Sequence, residues 1–353
     1  MPVFSHISIE FLHLVSKYLL RVFWEGIMSY VKRLVAITGT TGFVGRGIVG
    51  HLSGRSDYAL RVAVRSEYRA LDSGIEVVTI PSMEPDTFWT PFVADAQVVI
   101  HTAARVHVMN DTAASPEAEY RRVNVAGTLN LAEQAAAAGV KRFIFISSIK
   151  VNGEATQIGA PFTADQQTNP GDPYGVSKAQ AEEGLREIAA RTGMEVVIIR
   201  PVLVYGPGVK ANFLSMMRWL DKGIALPLGA IHNKRSLVAL DNLVDLIATC
   251  IHHPAAANQT FLVSDGNDLS TTELLQHMAR SLDKPARLLP VPMWMLKVAA
   301  AAVGKVSFSQ RLCGSLQVDI GKTCTMLGWT PPVRVEDAMK ATAHYFLEHK
   351  NDE

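Results

Sequence analysis

Six short runs dense in valine and isoleucine recur between residues 33 and 201: "RLVAIT" (33–38), "LRVAVR" (60–65), "IEVVTI" (75–80), "AQVVIHTAA" (96–104), "RFIFISS" (142–148) and "MEVVIIRP" (194–201). Their apolar residues are nearly continuous, the pattern of strands buried on both faces. Such strands belong to parallel sheets, whose connections are crossovers long enough to hold helices. The segments between the last runs supply them. "NVAGTLNLAEQAAAAG" (124–139) ends on Gly139, and "DPYGVSKAQAEEGLREIAARTG" (172–193) ends on Gly193 with Asp172 as N-cap and Pro173 at the first helical position. The expected fold class is α/β, a doubly wound parallel sheet.

After "RPVLVYGPG" (200–208) the pattern loosens into mixed helix and loop, with "RSLVAL" (235–240) and "TFLVSD" (260–265) as further short strands. The expected division is an N-terminal extension (1–28), a sheet domain (29–206 plus 236–263) and a smaller mixed α/β C-terminal lobe (207–235 plus 264–353). The stripe "MWMLKVAAAAVGKV" (293–306) is apolar nearly all round and reads as a packed helix of that lobe, with membrane contact as the minor reading.

Composition narrows the function classes. Hydrophobic residues make up 48% of the 353 and charged residues 19%, enough apolar material for a large core. A net charge of +1 without long basic runs argues against nucleic acid as a partner. Cys250, Cys313 and Cys324 are odd in number and follow no metal-binding spacing, which fits a reducing cytoplasm and no bound metal. In the opening stretch His13, Lys17, Arg21 and Glu25 interrupt every apolar run, so neither membrane insertion nor a cleavable signal is expected. Met28 opens the usual short lead into a first strand, and residues 1–27 read as an upstream-start artefact or a dispensable tail.

The chemistry is carried by three motifs. "LVAITGTTGFVGRGIVGHL" (34–52) runs from a strand through Gly39, Gly42 and Gly45 into a helix, which gathers backbone N–H groups where a pyrophosphate is favoured. "SSIKVNG" (147–153) ends a strand with hydroxyls. "YGVSK" (174–178) places Tyr174 and Lys178 four apart on one helical face. An ammonium there is expected to lower the phenol's pKa, so that Tyr174 can exchange the proton accompanying hydride transfer at a carbinol carbon while Ser148 hydrogen-bonds the reacting oxygen.

With "VIHTAA" (99–104), "NVAGTLNL" (124–131), "RPVLVYGPG" and the late "LGW.P" reading (327–331), these motifs resemble the extended short-chain dehydrogenase/reductases, specifically the NAD-dependent epimerase/dehydratase family acting on nucleotide sugars. The resemblance covers nearly all of 31–347 and implies a Rossmann sheet with a substrate-binding lobe. T-G-x-x-G-x-x-G at 38–45 is this family's form of the dinucleotide turn. The resemblance makes Ser148, Tyr174 and Lys178 the catalytic trio. It assigns cofactor contacts to Gly39, Thr41, Gly42, Phe43, Val44, Gly45, Ala103, Ala104, Tyr174, Lys178 and Pro201. On the substrate side it points to Ser148, to Arg235 for the nucleotide diphosphate and, more weakly, to Asn212 and Arg311. His101 reads as a satisfied residue at a strand end beside the cofactor, and His107, in the following loop, as a minor candidate to face the sugar. A homodimer through 124–139 and 172–193 is implied as well.

Three departures refine the reading. Val151-Asn152-Gly153 stands where the family often has V-Y-G, and an Asp common after the third strand is missing near "IPSM" (80–83). Arg65 and Ser66, with Arg46 nearby, end the second strand where an NAD site wants a carboxylate; a cation suits a 2′-phosphate, so NADP(H) is expected ahead of NAD(H). Ile149-Lys150 follow Ser148 where 4,6-dehydratases of the family typically carry Asp-Glu, which argues against elimination. The expected activity is reduction at C4 of a UDP-4-keto-6-deoxy-N-acetylhexosamine of the UDP-N-acetylquinovosamine type, in bacterial O-antigen synthesis. A UDP-sugar 4-epimerase with permanently bound NAD is the alternative, and a non-catalytic NADP(H)-sensing or assembly protein is the rival of another class.

Overall fold

The computed structural model describes residues 32–65, 74–106, 115–302, 310 and 312–350. The N-terminal extension, Ser66, His107 and Arg311 lie outside the described residues.

Seven parallel strands form the main sheet: β1 (Arg33–Thr38), β2 (Tyr58–Val64), β3 (Glu76–Thr79), β4 (Val98–His101), β5 (Arg142–Ile146), β6 (Glu195–Pro201) and, past a two-stranded parallel pair of β7 (Leu203–Tyr205) and β8 (Leu237–Ala239), β9 (Thr260–Val263). Their order is β3-β2-β1-β4-β5-β6-β9, the doubly wound Rossmann arrangement, with β9 added at the far edge. The sheet is buried on both sides because successive residues point to opposite faces and both are apolar. Val35, Ile37, Val62, Ile100, Ile144 and Val197 join one cluster; Ala36, Ala63, Val99, Phe143, Phe145 and Val196 join the other.

Helix α1 (Phe43–Leu52) brings Ile48, Val49 and Leu52 to the first face. On the second face lie a short α2 (Thr90–Val93), α3 (Pro116–Tyr120), α4 (Thr128–Ala137) with Leu131 and Ala135, and α5 (Pro173–Thr192) with Ala181, Leu185 and Ile188. Asp172 caps α5, its side chain accepting from Gly175 N–H at 2.7 Å, Pro173 sits in the first turn, and Gly193 ends the helix in the left-handed region, as the sequence predicts.

The helix expected from residue 124 begins instead at Pro116, capped by Ser115, and passes through a π segment (Arg121–Gly127) between α3 and α4. The polar stretch "PEAEY" conceals that start from a reading based on apolar periodicity, and wide π turns concentrate at functional sites.

A third cluster builds the C-terminal lobe. It is formed by Phe213, Met217 and Leu220 of α6 (Ala211–Asp221), Leu275 and Met278 of α8 (Thr271–Ser281), and Met339 and Phe346 of the last helix, α11 (Val335–His349). Before these last two come α7 (Leu240–His252), which packs on the sheet, and between them α9 (Met293–Ala302) and α10 (Gly321–Leu327). The stripe expected to be packed all round is not: α9 leaves Trp294, Met295 and Val298 exposed, and Met293 and Leu296 are the residues that reach the cluster.

Candidate active site

The site lies at the carboxyl ends of β1, β4, β5 and β6. The strand order reverses between β1 and β4, the place where open α/β sheets bind ligands.

The turn from β1 into α1 requires its glycines individually. Gly39 has φ +73, and a Cβ there would sit 2.4 Å from Thr102 Oγ1 and 2.6 Å from the Ala103 nitrogen. A Cβ on Gly45 would come within 2.2 Å of the Gly39 carbonyl oxygen. Gly42, the N-cap of α1, has an ordinary φ of −79 and no side-chain cap, and the first turn carries no acid. Its N–H end therefore faces outward without an internal anion. Thr40 Oγ1 is buried without a partner among the described residues. A tight turn, an uncapped helix start and a spare hydroxyl fit the diphosphate of a dinucleotide.

Beside that turn, Thr41 is exposed, Phe43 and Val44 are half-buried, Ala103 and Ala104 line the exit of β4, and Pro201 is buried at the end of β6. Arg65 and Arg46 are both exposed, Arg65 directly after β2. Gly39–Gly45, Ala103–Ala104 and Pro201 thus gather at one end of the sheet, and Arg65 follows the carboxyl end of β2. His101 is fully buried: Nδ1 and Nε2 bond Thr38 Oγ1 and Thr128 Oγ1 at 2.7 and 3.0 Å, and the ring stacks on Phe145. Burial first, then the charge of Lys178, hold its pKa down to about 3. It is the satisfied neutral residue that the sequence suggests.

Ser148 follows β5 and caps a 3₁₀ turn (Ile149–Val151), its Oγ accepting from Lys150 N–H at 3.2 Å. Tyr174 and Lys178 stand one turn apart at the start of α5. Lys178 is 2% exposed, donates to the Ile146 carbonyl at 2.9 Å and lies 4.4 Å from the Phe145 ring centroid. Burial lowers its pKa to about 7 against the opposing pull of Glu182. The expected lowering of the phenol is not found. Burial, then Asp172 and Tyr120, push Tyr174 up to about 12.

Three residues at the site, Glu182, Arg200 and Asn124, escaped the sequence reading. Glu182, fully buried one turn past Lys178, accepts from Ser147 Oγ at 2.6 Å and from Arg200 at 2.8 and 2.5 Å. Arg200 also donates to Asn152 Oδ1 at 2.9 Å, so the ends of β5 and β6, α5 and the loop after Ser148 are tied together. Asn124, in the π segment, holds the Arg105 backbone at 2.7 and 3.0 Å and Ser177 Oγ at 3.1 Å. The sequence signal for Asn124 is its place in "NVAGT", and for Arg200 its place in "RPVLVYG". Lys150 is paired with Asp172 and, at 3.4 Å, with Glu154.

On the substrate side, Arg235 is half-buried in the C-terminal lobe, its guanidinium donating to the Gly314 carbonyl at 3.1 Å. Its backbone pairs with Leu269 and bridges to Leu316. Asn212 is exposed in the first turn of α6, with no described contact to the trio.

Residues 35–264 match the NAD dependent epimerase/dehydratase family. The chain belongs to this family. A UDP-glucose 4-epimerase of Vibrio cholerae is 52% identical over 91% of this chain and 98% of its own length. The N-acetyl-alpha-D-glucosaminyl-diphospho-ditrans,octacis-undecaprenol 4-epimerase of Escherichia coli O157:H7 is 30% identical over 68% of this chain and 76% of its own. Among solved structures, the UDP-glucose 4-epimerase of Thermotoga maritima with UDP-glucose superimposes with a TM-score of 0.70 at 22% identity, covering 90% of this chain and 99% of that one, a likeness of fold. As an epimerase/dehydratase-family member the chain is an enzyme of nucleotide sugars that uses a nicotinamide dinucleotide, and its reaction is of the 4-epimerase or reductase kind. Among the described residues no helix is long and apolar enough to cross a membrane.

Proposed function

We propose that the chain is a UDP-sugar 4-epimerase that interconverts UDP-glucose and UDP-galactose with NAD retained in the site. The observation that carries this reading is the 52% identity to the Vibrio cholerae UDP-glucose 4-epimerase along 98% of that enzyme. The UDP-4-keto sugar reductase, expected from Arg65 and from the likeness of "RSLVALDNLVDLI" (235–247) and "ANQTFLVSDGNDLSTTELL" (257–275) to the O-antigen branch, gives way to it, since one exposed cation after β2 and two lobe segments weigh less than likeness along the whole chain.

When bound, the nicotinamide supplies the oxidation and reduction at C4. Tyr174 Oη takes the proton of the C4 hydroxyl as the carbon becomes a ketone and returns it after the sugar has turned its other face. Ser148 Oγ donates to the same oxygen in both directions. The phenolate this requires is costly where burial holds the phenol at about 12; in this reading Lys178, one turn away on α5, offsets that cost while it is protonated. Ile149-Lys150 offer no carboxylic acid after Ser148, and Lys150 is bound to Asp172, which disfavours loss of a C6 hydroxyl. Arg235 anchors the UDP diphosphate.

Arg65 supports a second reading, a reductase drawing NADPH from solution. The test is the nucleotide released on denaturing protein purified without additives. About one equivalent of NAD per chain supports the epimerase, whereas an empty site with NADPH oxidation on a UDP-4-keto-6-deoxy sugar supports the reductase.

A further inference from the structure

Helix α9 turns apolar side chains outward: Trp294 is 66% exposed, Val298 62% and Met295 46%. Leu289, on the segment leading into it, is 52% exposed, and Ile224 43%. These two belong to neighbouring segments, because Leu226 N–H donates to the Arg287 carbonyl and Leu289 N–H to the Leu226 carbonyl at 2.9 and 2.8 Å. Single exposed apolar residues are ordinary, but several large ones on one helix and the segment feeding it mark a contact surface.

The sequence through this helix carries charge of one sign. Lys and Arg number 34 against 33 Asp and Glu in the whole chain, yet between Asp283 and Asp319 stand Lys284, Arg287, Lys297, Lys305 and Arg311 and no carboxylate. Lys284, Arg287 and Lys297 are exposed. The nearby Asp221 is engaged by Lys284 at 3.9 Å and Lys350 at 3.4 Å.

We propose that α9 is a peripheral membrane contact, its Trp294, Met295 and Val298 seated among the headgroups of an anionic lipid surface with Arg287 and Lys297 on the phosphates. At ten residues the helix is too short to span a bilayer and lies along it. A protruding tryptophan with adjacent aliphatic side chains and flanking cations matches what an anionic interface offers, apolar depth beneath negative charge. The proposal concerns a surface outside the catalytic trio and stands whichever C4 reaction the enzyme performs.

The test is co-sedimentation of the full chain with vesicles of phosphatidylethanolamine and phosphatidylglycerol, against vesicles of phosphatidylcholine alone. The expected result is roughly tenfold more binding to the anionic vesicles, declining as salt is raised. Combining Trp294→Ser, Met295→Ser and Val298→Ser should reduce that binding roughly tenfold with thermal unfolding and turnover unchanged, and Arg287→Glu with Lys297→Glu should do the same. The proposal is overturned by absence of binding to anionic vesicles, or by binding that survives both variants, which would assign it to another part of the chain such as residues 1–27. It is equally overturned if the apolar triple variant abolishes a concentration-dependent dimer while the parent protein ignores vesicles, since the face would then be covered by a second copy.

Discussion

Arg200 and Glu182 form a bidentate ion pair, at 2.8 and 2.5 Å, with the two side chains 2% and 0% exposed. The pair sits at the hub of the active site: Arg200 reaches Asn152 in the loop after Ser148, and Glu182 takes the hydroxyl of Ser147 one turn beyond Lys178. Desolvation costs each ion several kcal/mol, which the bidentate geometry and the extra hydrogen bonds offset.

Arg186 also reaches Glu182, at 3.0 Å, but removing Glu182 leaves the buried Arg200 guanidinium without its carboxylate. Glu182→Leu is therefore expected to destabilise the protein by about 3–5 kcal/mol, measured by urea unfolding. Glu182→Leu with Arg200→Met should recover most of that loss. If the double variant is no more stable than the single, the pair is not the unit described.

Tyr174→Phe removes the proton carrier and leaves the fold intact, because the ring's edge contact with Tyr120, at a centroid distance of 6.2 Å, does not involve the hydroxyl. Turnover should fall by about 10²–10⁴ while nucleotide content stays unchanged. Turnover equal to the parent's would remove Tyr174 from the chemistry.

The glycine turn separates folding from binding. Gly45→Ala would force a methyl to within 2.2 Å of the Gly39 carbonyl and should yield destabilised, nucleotide-free protein. Gly42→Ala meets the same oxygen at 3.1 Å with a permissive φ, so the chain should fold. The added methyl stands at the uncapped helix start, and nucleotide affinity should drop roughly tenfold or more. Calorimetric titration of NAD into nucleotide-stripped protein distinguishes the two.

Stability should follow pH through two buried groups. Lys178 titrates near 7 in the fold and near 10.5 when unfolded, so between those values the unfolded chain holds the extra proton and stability rises with pH. His101 titrates near 3 in the fold and near 6.5 unfolded, so stability is lost as pH falls from 6.5 toward 3. Lys178→Met should flatten the alkaline slope of nucleotide-free protein in melting experiments at pH 6–10 and raise its stability at the acid end of that range. An unchanged slope would contradict a buried, titrating lysine.

The strands were legible because a sheet buried on both faces writes continuous β-branched runs, and α5 was legible because Asp172, Pro173 and Gly193 mark its ends. Glu182 was not: "AQAEEGLREIAA" has the look of an exposed acidic helix, and only the fold brings Arg200, on another strand, against it. The phenol's raised pKa was hidden for a similar reason, since a four-residue spacing fixes a shared helical face but not the burial of the ring beside Asp172 and Tyr120. Helix α9 misled through composition, because an apolar segment reads alike whether its neighbours are protein or something else.

The central claim is tested most directly by incubating the purified enzyme with UDP-glucose, without added nicotinamide, and resolving the sugar nucleotides by chromatography. The account predicts UDP-galactose accumulating to an equilibrium mixture with no net change in reduced cofactor. No UDP-galactose, together with stoichiometric NADPH consumption on a UDP-4-keto-6-deoxy-N-acetylhexosamine, would contradict it.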